Sequence, residues 1–278
     1  MAGLLSGLES LGLGSLENAS IFEKKDSKSG GAGAKAEPPK VEEQDLIYER
    51  NFSCPVCSRN FTAKVMKTGK AKLKGMDFDL RPRYEGIAAE KYDVLLCPHC
   101  GYAAIARFFP NILSAQAKLI RENISENVVL GKYYDEIYSY EEALERYKLA
   151  LACSVVKRGK ASEKAYVCLK TAWVMRGYAE DLTEKGENDK AAALRRQEEE
   201  YLQNAYTGFL EARQSETFPV AGMDEPTVDF LIAELAFHLE DYPVCSRMIS
   251  GILTSPSAPA RLKDRARDLK DLLMEAKK

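Results

Sequence analysis

Two short cysteine pairs constrain this chain more than any other feature: Cys-Pro-Val-Cys at 54–57 and Cys-Pro-His-Cys at 97–100. Two thiolates three residues apart can point at one ion, and Gly101, directly after the second pair, supplies a positive φ angle at little cost. Two such pairs provide four thiolates, which is the ligand set of closed structural zinc sites. The spacing therefore predicts one zinc ion, bound by Cys54, Cys57, Cys97 and Cys100.

Other interpretations of the cysteine pairs stay open at the level of sequence. A redox-active dithiol or two disulfides would use the same residues. His99 lies inside the second pair and could replace one cysteine as a ligand, although we favour a solvent-facing turn residue. The repeated spacing favours zinc over the redox and disulfide alternatives.

The composition of the chain indicates which kinds of partner it can bind and in which cellular compartment it is expected. The chain has 40 Lys and Arg residues against 42 Asp and Glu residues, so its net charge of −2 does not attract nucleic acid or membranes. The odd number of cysteines, seven, indicates a reducing compartment. There is no apolar run of about 18 residues, and no basic residue precedes Lys24, unlike in a secretory signal. We expect a cytoplasmic protein that does not interact with membranes.

Residues 1–45 have the composition of a tail and linker. Leucines at positions 4, 8 and 11 fit one helical face, but the surrounding glycines each cost about 1 kcal/mol in a helix. Residues 24–45 carry lysines, glycines, prolines and acids, with too little apolar surface to offset the entropy of ordering. We favour a disordered tail over a short peptide that docks on a partner or on the rest of the protein.

Residues 46–110 contain both cysteine pairs and predict a small β-rich zinc ribbon. Val94, Leu95 and Leu96 lead into the second pair and are typical of a short strand. Such a module has a core too small to be stable without its metal.

Residues 64–91, between the cysteine pairs, form a segment that we call the basic arm. It contains eight Lys or Arg residues and four acids, a local net charge of +4, together with Phe78 and Tyr84. Basic side chains beside aromatic rings can bind phosphates and stack on bases. A solvated arm has the same composition, so nucleic-acid binding is the alternative function and not the preferred one.

Residues 111–278 have a helical pattern with few interruptions. The predicted helices lie near 111–137, 140–157, 161–184, 187–213, 225–240, 242–254 and 259–277. Gly186 predicts the end of one helix. Asp224 predicts the N-cap of another, with Pro226 tolerated in its first turn.

Two of the predicted helical pairs resemble tetratricopeptide (TPR) repeats of 34 residues. The better match uses Leu130, Gly131, Tyr134, Ala143, Tyr147 and Ala150, and a poorer one covers 232–252. The pair around Trp173 has no match and should have longer helices. We therefore expect a mainly α protein, a TPR-like stack of helical hairpins with a small N-terminal β zinc-ribbon module. Repeat positions predict a groove lined by Val128, Lys132, Asp135, Phe230, Glu234 and Phe237.

The chain resembles the bacterial family catalogued as domain of unknown function 2225. The resemblance rests on the two cysteine pairs, Asp-Phe-Asp at 77–79, Tyr-Glu-Gly at 84–86 and the Gly-Tyr-Ala that follows the second pair. It extends over residues 46–255 and implies a zinc ribbon joined to TPR-like repeats. The family has no established activity, so the resemblance implies no catalytic residue.

The remaining polar residues do not predict catalysis. His238 lies in an apolar part of a predicted helix, where packing is the simpler role, and the acids at 198–200 fit a solvated helix face. Cys153, Cys168 and Cys245 fit buried positions as small apolar residues. We expect a non-catalytic adaptor that binds a protein or peptide in the helical groove. The alternative is a nucleic-acid-binding protein that uses the basic arm.

Overall fold

The computed structural model describes residues 41–131 and 135–277, which lie in one compact unit spanning Lys40–Lys278. Most of the predicted tail, residues 1–40, lies outside the described residues. At the predicted end of the linker, Glu43–Leu46 forms a short 3-10 helix in which Leu46 is buried. Glu43 accepts hydrogen bonds from Lys91 and Tyr92, and this contact places residues 43–45 within the fold.

Six short strands form three antiparallel hairpins in the first part of the described chain. They are β1 (Ile47–Ser53) with β2 (Asn60–Met66), β3 (Leu73–Met76) with β4 (Pro82–Tyr84), and β5 (Val94–Leu96) with β6 (Ala103–Ile105). A second 3-10 helix, Ala89–Tyr92, precedes β5. The strand predicted before the second cysteine pair is confirmed as β5.

The cysteine pairs lie in the loops of two of these hairpins: residues 54–57 join β1 to β2, and residues 97–100 join β5 to β6. Phe61 and Ala63 of β2 are buried at alternate positions, as expected for a strand with one covered face. Phe52 pairs with Phe61 across the ladder, with ring centroids 5.9 Å apart. This aromatic pair stabilises the end of the hairpin that carries the cysteines.

Seven α-helices follow in the described part of the chain, which confirms a mainly α fold. They are α1 (Ser114–Ile120), α2 (Tyr140–Val156), α3 (Ala161–Glu184), α4 (Asn188–Ser215), α5 (Glu225–His238), α6 (Tyr242–Thr254) and α7 (Ala260–Ala276). The predicted cap is confirmed, since the Asp224 side chain accepts a hydrogen bond from the Thr227 N–H and Pro226 lies in the first turn of α5. Gly186 has a φ of +80° just after α3, where a stop was predicted.

The first predicted helix, 111–137, is wrong in length. Helix α1 ends at Ile120 and continues only as one π-helical turn, Arg121–Ser125. The N–H of Val128 donates to the carbonyl of Ile124, and the Val128 side chain packs against Gly101 in the second cysteine turn. This tertiary contact overrides the local helical preference.

The first TPR-like hairpin is therefore not formed as predicted, because Leu130 and Gly131 lie outside a helix. Tyr134, which was also part of the match, lies outside the described residues. Successive helices from α2 to α7 pack on one another in chain order. Helices α3 and α4, with 24 and 28 residues, confirm that the pair around Trp173 is longer. The second TPR match falls on α5 and α6, and its repeat-like character stays a prediction.

One hydrophobic cluster runs through both predicted modules. It joins Cys97, Tyr102 and Phe109 of the first module to Tyr147 and Trp173 of the second. The two predicted modules thus share this core. The division of the chain at residue 110 therefore stays a prediction.

Candidate metal centre

The four paired cysteines come together at the ends of two hairpins. Their sulfur atoms all lie within 4.8 Å of one another. The Sγ atoms of Cys54 and Cys100 are 3.6 Å apart, and those of Cys57 and Cys97 are 3.7 Å apart. Both distances join one pair to the other, so the two loops face a common point, as in a possible metal site.

The sulfur spacing distinguishes this cluster from a pair of disulfides. A disulfide bond holds its sulfurs about 2.05 Å apart, whereas the distances here exceed 3.5 Å. All seven cysteines are free thiols. The disulfide alternative therefore does not describe this structure.

The two cysteine turns share one backbone geometry. The N–H of Ser58 donates to the carbonyl of Cys54 at 2.8 Å, and the N–H of Gly101 donates to the carbonyl of Cys97 at 2.9 Å. Ser58 and Gly101 both have positive φ angles, +59° and +71°. The predicted role of Gly101 is confirmed, whereas in the first turn a serine adopts a conformation that favours glycine.

Residues from the helical part support both turns. Cys153 of α2 lies beneath the second turn, where its Sγ accepts from the N–H of Ala103 at 3.4 Å and donates to the carbonyl of Gly101 at 3.8 Å. Arg121, in the π-helical turn, donates to the carbonyl of Val56 in the first turn at 2.9 Å. Cys153 is buried as predicted, and it also hydrogen-bonds the backbone of the site.

The cluster is shielded on most sides. Cys54, Cys97 and Cys100 are buried and Cys57 is half-buried. His99 is exposed, with its Nε2 atom 3.2 Å from the carbonyl oxygen of Asn60. Its role as a solvent-facing turn residue is confirmed.

Hydrogen bonds inside the cluster shift the thiol pKa values in opposite directions. Those with Cys100 and Cys97 lower the pKa of Cys54 to about 2. Hydrogen bonds with Cys54 and Cys97 raise the pKa of Cys100 well above its usual range. The cluster thus favours a thiolate at Cys54, and the thiolate is the form that binds metals.

The arginines of the basic arm form ion pairs with acidic residues of the same protein. Arg81 is buried and pairs with Glu90 at 2.9 Å and with Glu180 of α3 at 3.4 Å. Arg83 also pairs with Glu180, at 2.7 Å. These arginines stabilise the contact between the arm and α3 rather than forming a free positive surface. The arm's exposed lysines are Lys70, Lys72 and Lys74.

The loop between β3 and β4, which is the tip of the basic arm, places the carboxylate of Asp79 against helix α3. Asp79 accepts two hydrogen bonds from Arg176, at 2.8 and 3.0 Å, and one from the indole N–H of Trp173 at 2.9 Å. Arg176 also donates to Glu198 of α4 at 2.6 Å. This network was not predicted from the sequence, where its signals were the Asp-Phe-Asp motif at 77–79 and the single tryptophan, Trp173.

A family profile described as "Uncharacterized protein conserved in bacteria (DUF2225)" matches residues 47–273, more than four fifths of the chain. The chain belongs to this family. The resemblance inferred from the sequence is thereby confirmed. No curated protein matches the DUF2225 chain, and no solved structure matches it. Within the described residues, no helix has both the length and the apolar character needed to cross a membrane.

The residues predicted to line a groove in this DUF2225 protein lie in different environments. Phe230 and Glu234 are only 0% and 2% exposed, because α5 packs Phe230 against Ile252 of α6 and Ala266 of α7. Phe230 therefore cannot line an accessible groove, whereas Glu234 lines a cavity together with Phe78 and Leu235. The other four are Phe237, which is half-buried, Val128, which lies in a loop, Asp135, which is exposed and non-helical, and Lys132, which lies outside the described residues.

The packing role predicted for His238 is wrong. Its side chain is exposed at the end of α5, where Nε2 lies 2.8 Å from a carboxylate oxygen of Glu199. Cys168 and Cys245 are buried as predicted. Burial raises their pKa values to about 11 and about 12, respectively, so both thiols stay protonated near neutral pH.

Proposed function

We propose that this DUF2225 protein binds one zinc ion through Cys54, Cys57, Cys97 and Cys100. Four thiolates arranged tetrahedrally at a Zn–S distance of about 2.3 Å have sulfurs about 3.8 Å apart. The distances of 3.6 and 3.7 Å between the pairs agree with that spacing. Thiolate ligands also favour zinc over magnesium or calcium.

The functional proposal rests on one observation, the closed set of four cysteine ligands. Four protein thiolates fill a tetrahedral shell and leave no position for water or a substrate. The proposed role of the ion is therefore structural: it would hold together two hairpin loops whose strands are short. Free, buried thiols are typical of a reducing compartment, and the proposed location is the cytoplasm.

The proposed role of the whole protein is a non-catalytic adaptor that binds a protein or peptide. An aromatic surface at the tip of the basic arm supports this role. Phe78 is 42% exposed, and its ring centroid lies 6.2 Å from that of Phe237, which lies 6.1 Å from the ring centroid of Tyr242. Accessible aromatic side chains are common anchors of protein interfaces. Of the six groove residues predicted from the sequence, the proposed binding surface includes only Phe237.

Elemental analysis of anaerobically purified protein tests the metal proposal. We expect one zinc per chain, lost in Cys57→Ala and retained in Cys168→Ala, a buried cysteine outside the cluster. Wild-type protein that contains no zinc while its four thiols react as free groups would contradict the proposal.

Affinity capture from a bacterial lysate, followed by pairwise binding of the purified components, tests the adaptor role. The double variant Phe78→Ala/Phe237→Ala should bind the captured protein at least about tenfold more weakly, as expected when aromatic anchors are truncated. Leu272→Ala, an exposed leucine of α7, is the matched control and should bind normally. Failure of the wild type to retain any protein, or equal binding by the aromatic variant, would argue against this role.

A further inference from the structure

A cavity of about 330 Å³ lies where the basic arm meets α4 and α5. Phe78 of the arm, Leu202 of α4 and Leu235 of α5 provide apolar walls. Polar groups from the same elements and from α3 also line it. Its volume lies at the small end of the range for ligand pockets, which usually combine apolar walls with a few convergent polar groups.

Glu234 is the polar group of this cavity that the fold does not satisfy. The residue is 2% exposed, and its Oε2 is the buried side-chain oxygen without a hydrogen-bond partner in the described part of the chain. The neighbouring acids are paired: Asp79 and Glu198 bind Arg176, and Glu199 lies against a histidine. Burying a carboxyl oxygen without a hydrogen-bond partner costs free energy, and a ligand donor in the cavity would remove that cost.

The charges that face Glu234 favour a cation over an anion. The acids are Asp79 of the arm with Glu198 and Glu199 of α4, and the bases are Arg176 of α3, Arg195 of α4, His238 of α5 and Arg265 of α7. With Glu234 ionised, as in the proposed complex, four carboxylates stand against three arginines. Two of those arginines are engaged elsewhere: Arg176 in the Asp79 network, and Arg265 with the carbonyl of Phe78 at 2.7 Å and with the ring of Phe230.

We propose that this cavity binds a small organic cation, a primary alkylammonium, whose charge pairs with Glu234 and whose chain packs against Phe78, Leu202 and Leu235. An ammonium group is a compact point charge with three donors. It suits a single unpaired oxygen better than a guanidinium, whose fork needs two acceptors in one plane. The proposal does not depend on the adaptor function.

Protonation provides a second signature of this binding. Burial raises the pKa of Glu234 to about 9, because desolvation outweighs the attraction of Arg265. The carboxyl is therefore protonated in the free protein near pH 7.5. An ammonium that pairs with the carboxylate should displace this proton, so binding should release roughly one proton per chain.

Isothermal titration calorimetry of the full chain with n-hexylammonium chloride tests the proposal. For a ligand of this size we expect a Kd on the order of 1 mM. Neutral n-hexanol and anionic hexanoate, which have the same chain length, should bind at least about tenfold more weakly. Repeating the titration in buffers of different ionisation enthalpy measures the released proton.

Glu234→Gln preserves the shape of the side chain and removes its charge. It should weaken hexylammonium binding by about ten- to a hundredfold and abolish proton release. Glu200→Gln is the matched control, because Glu200 lies on α4 beside the cavity acids but lines a different groove. Phe78→Ala is a second variant that removes an exposed apolar wall and should also weaken binding, whatever the stability of Glu234→Gln.

Four results would overturn the proposal. The first is equal hexylammonium binding by wild type and Glu234→Gln. The second is hexanoate binding as tight as hexylammonium binding. The third is no detectable binding at about tenfold above the expected Kd. Normal binding by Phe78→Ala would place the cation away from this cavity and would also overturn it.

Discussion

Ser58 and Gly101 hold the same left-handed backbone position in the two cysteine turns, with φ angles of +59° and +71°. Each donates its N–H to the carbonyl of the first cysteine of its pair. The backbones of the two turns are thus equivalent, although their sequences differ at this position. A non-glycine residue costs about 1–2 kcal/mol in this conformation.

Ser58→Gly should stabilise the zinc-bound protein by about 0.5–1 kcal/mol. Relief of left-handed strain outweighs the greater flexibility of glycine in the unfolded chain, and the exposed serine loses little packing. Urea unfolding of the metal-bound protein measures the change. Ser53→Gly, at an exposed position in β1, is the control and should destabilise; a loss of stability in both variants would argue against strain at Ser58.

Gly101→Ala should destabilise the protein by about 2 kcal/mol or more. An added Cβ would lie 2.5 Å from Cγ1 of Val128 and would also be strained by the positive φ angle. Gly69→Ala is the matched control, since Gly69 has a φ of +98° with open space around its Cβ position. The Gly101→Ala cost should exceed that of the control, and Val128→Ala should recover part of the difference. Equal costs for the two glycines would contradict the importance of the Val128 contact.

Chelation of zinc should unfold residues 46–110 and leave most of the helical circular-dichroism signal. The metal supplies much of the folding free energy of the two loops, whereas α3 to α7 have their own apolar contacts. Limited proteolysis should then detect new cleavage between the cysteine pairs. Hydrogen exchange should rise in α2, where Cys153 contacts the second turn, and change least in α6 and α7. Collapse of the entire helical signal would mean that both parts unfold as one unit.

The free energy of unfolding should decrease as the pH rises, because of Glu234. Its folded pKa is raised to about 9 by burial, so between the unfolded pKa near about 4.3 and pH 9 the folded chain retains a proton that the unfolded chain has released. The stabilisation is complete below the unfolded pKa and is lost as the pH rises through the folded pKa. Between about pH 6 and pH 9, wild type should lose about 1 kcal/mol or more relative to Glu234→Gln. Parallel stability curves for the two proteins would disprove this, and Glu200→Gln should follow the wild type.

Arg176→Met should cost about 3–5 kcal/mol, because Asp79 and Glu198 would both lose their buried partner. Arg176→Lys should recover only part of this loss, since lysine cannot form the bidentate pair with Asp79. Denaturant unfolding measures both variants. Arg196→Met, on the exposed side of α4, is the control and should change stability little. A small cost for Arg176→Met would show that the network is energetically unimportant.

Local sequence patterns predicted the parts of the fold that depend on local chemistry. Each cysteine pair defines its own turn, so all four members of the sulfur cluster were predicted correctly. Helices α2 to α7 were also located within a few residues, because caps such as Asp224 and stops such as Gly186 act over three or four residues.

The features that could not be predicted from the sequence depend on contacts between residues that are distant along the chain. The first helix ends early because Val128 packs against Gly101, and Asp79 meets Arg176 across 97 residues. Neither contact leaves a periodic signal. Helix α5 is buried almost continuously from Val228 to Ala236, so periodicity could not indicate which face is accessible. The repeat positions placed Phe230 on a groove, and the helix pattern contained no signal that corrected this.

The tip of the basic arm also has consequences for the order of folding. Arg265 donates to the carbonyls of Asp77 and Phe78 across 188 and 187 residues. Contacts of such long sequence separation form slowly, after the local helical pairs. Trp173 is the single tryptophan of the chain and donates its indole N–H to Asp79 at the same tip. Its fluorescence should report when the arm docks, so the chain contains its own optical probe of a late folding step.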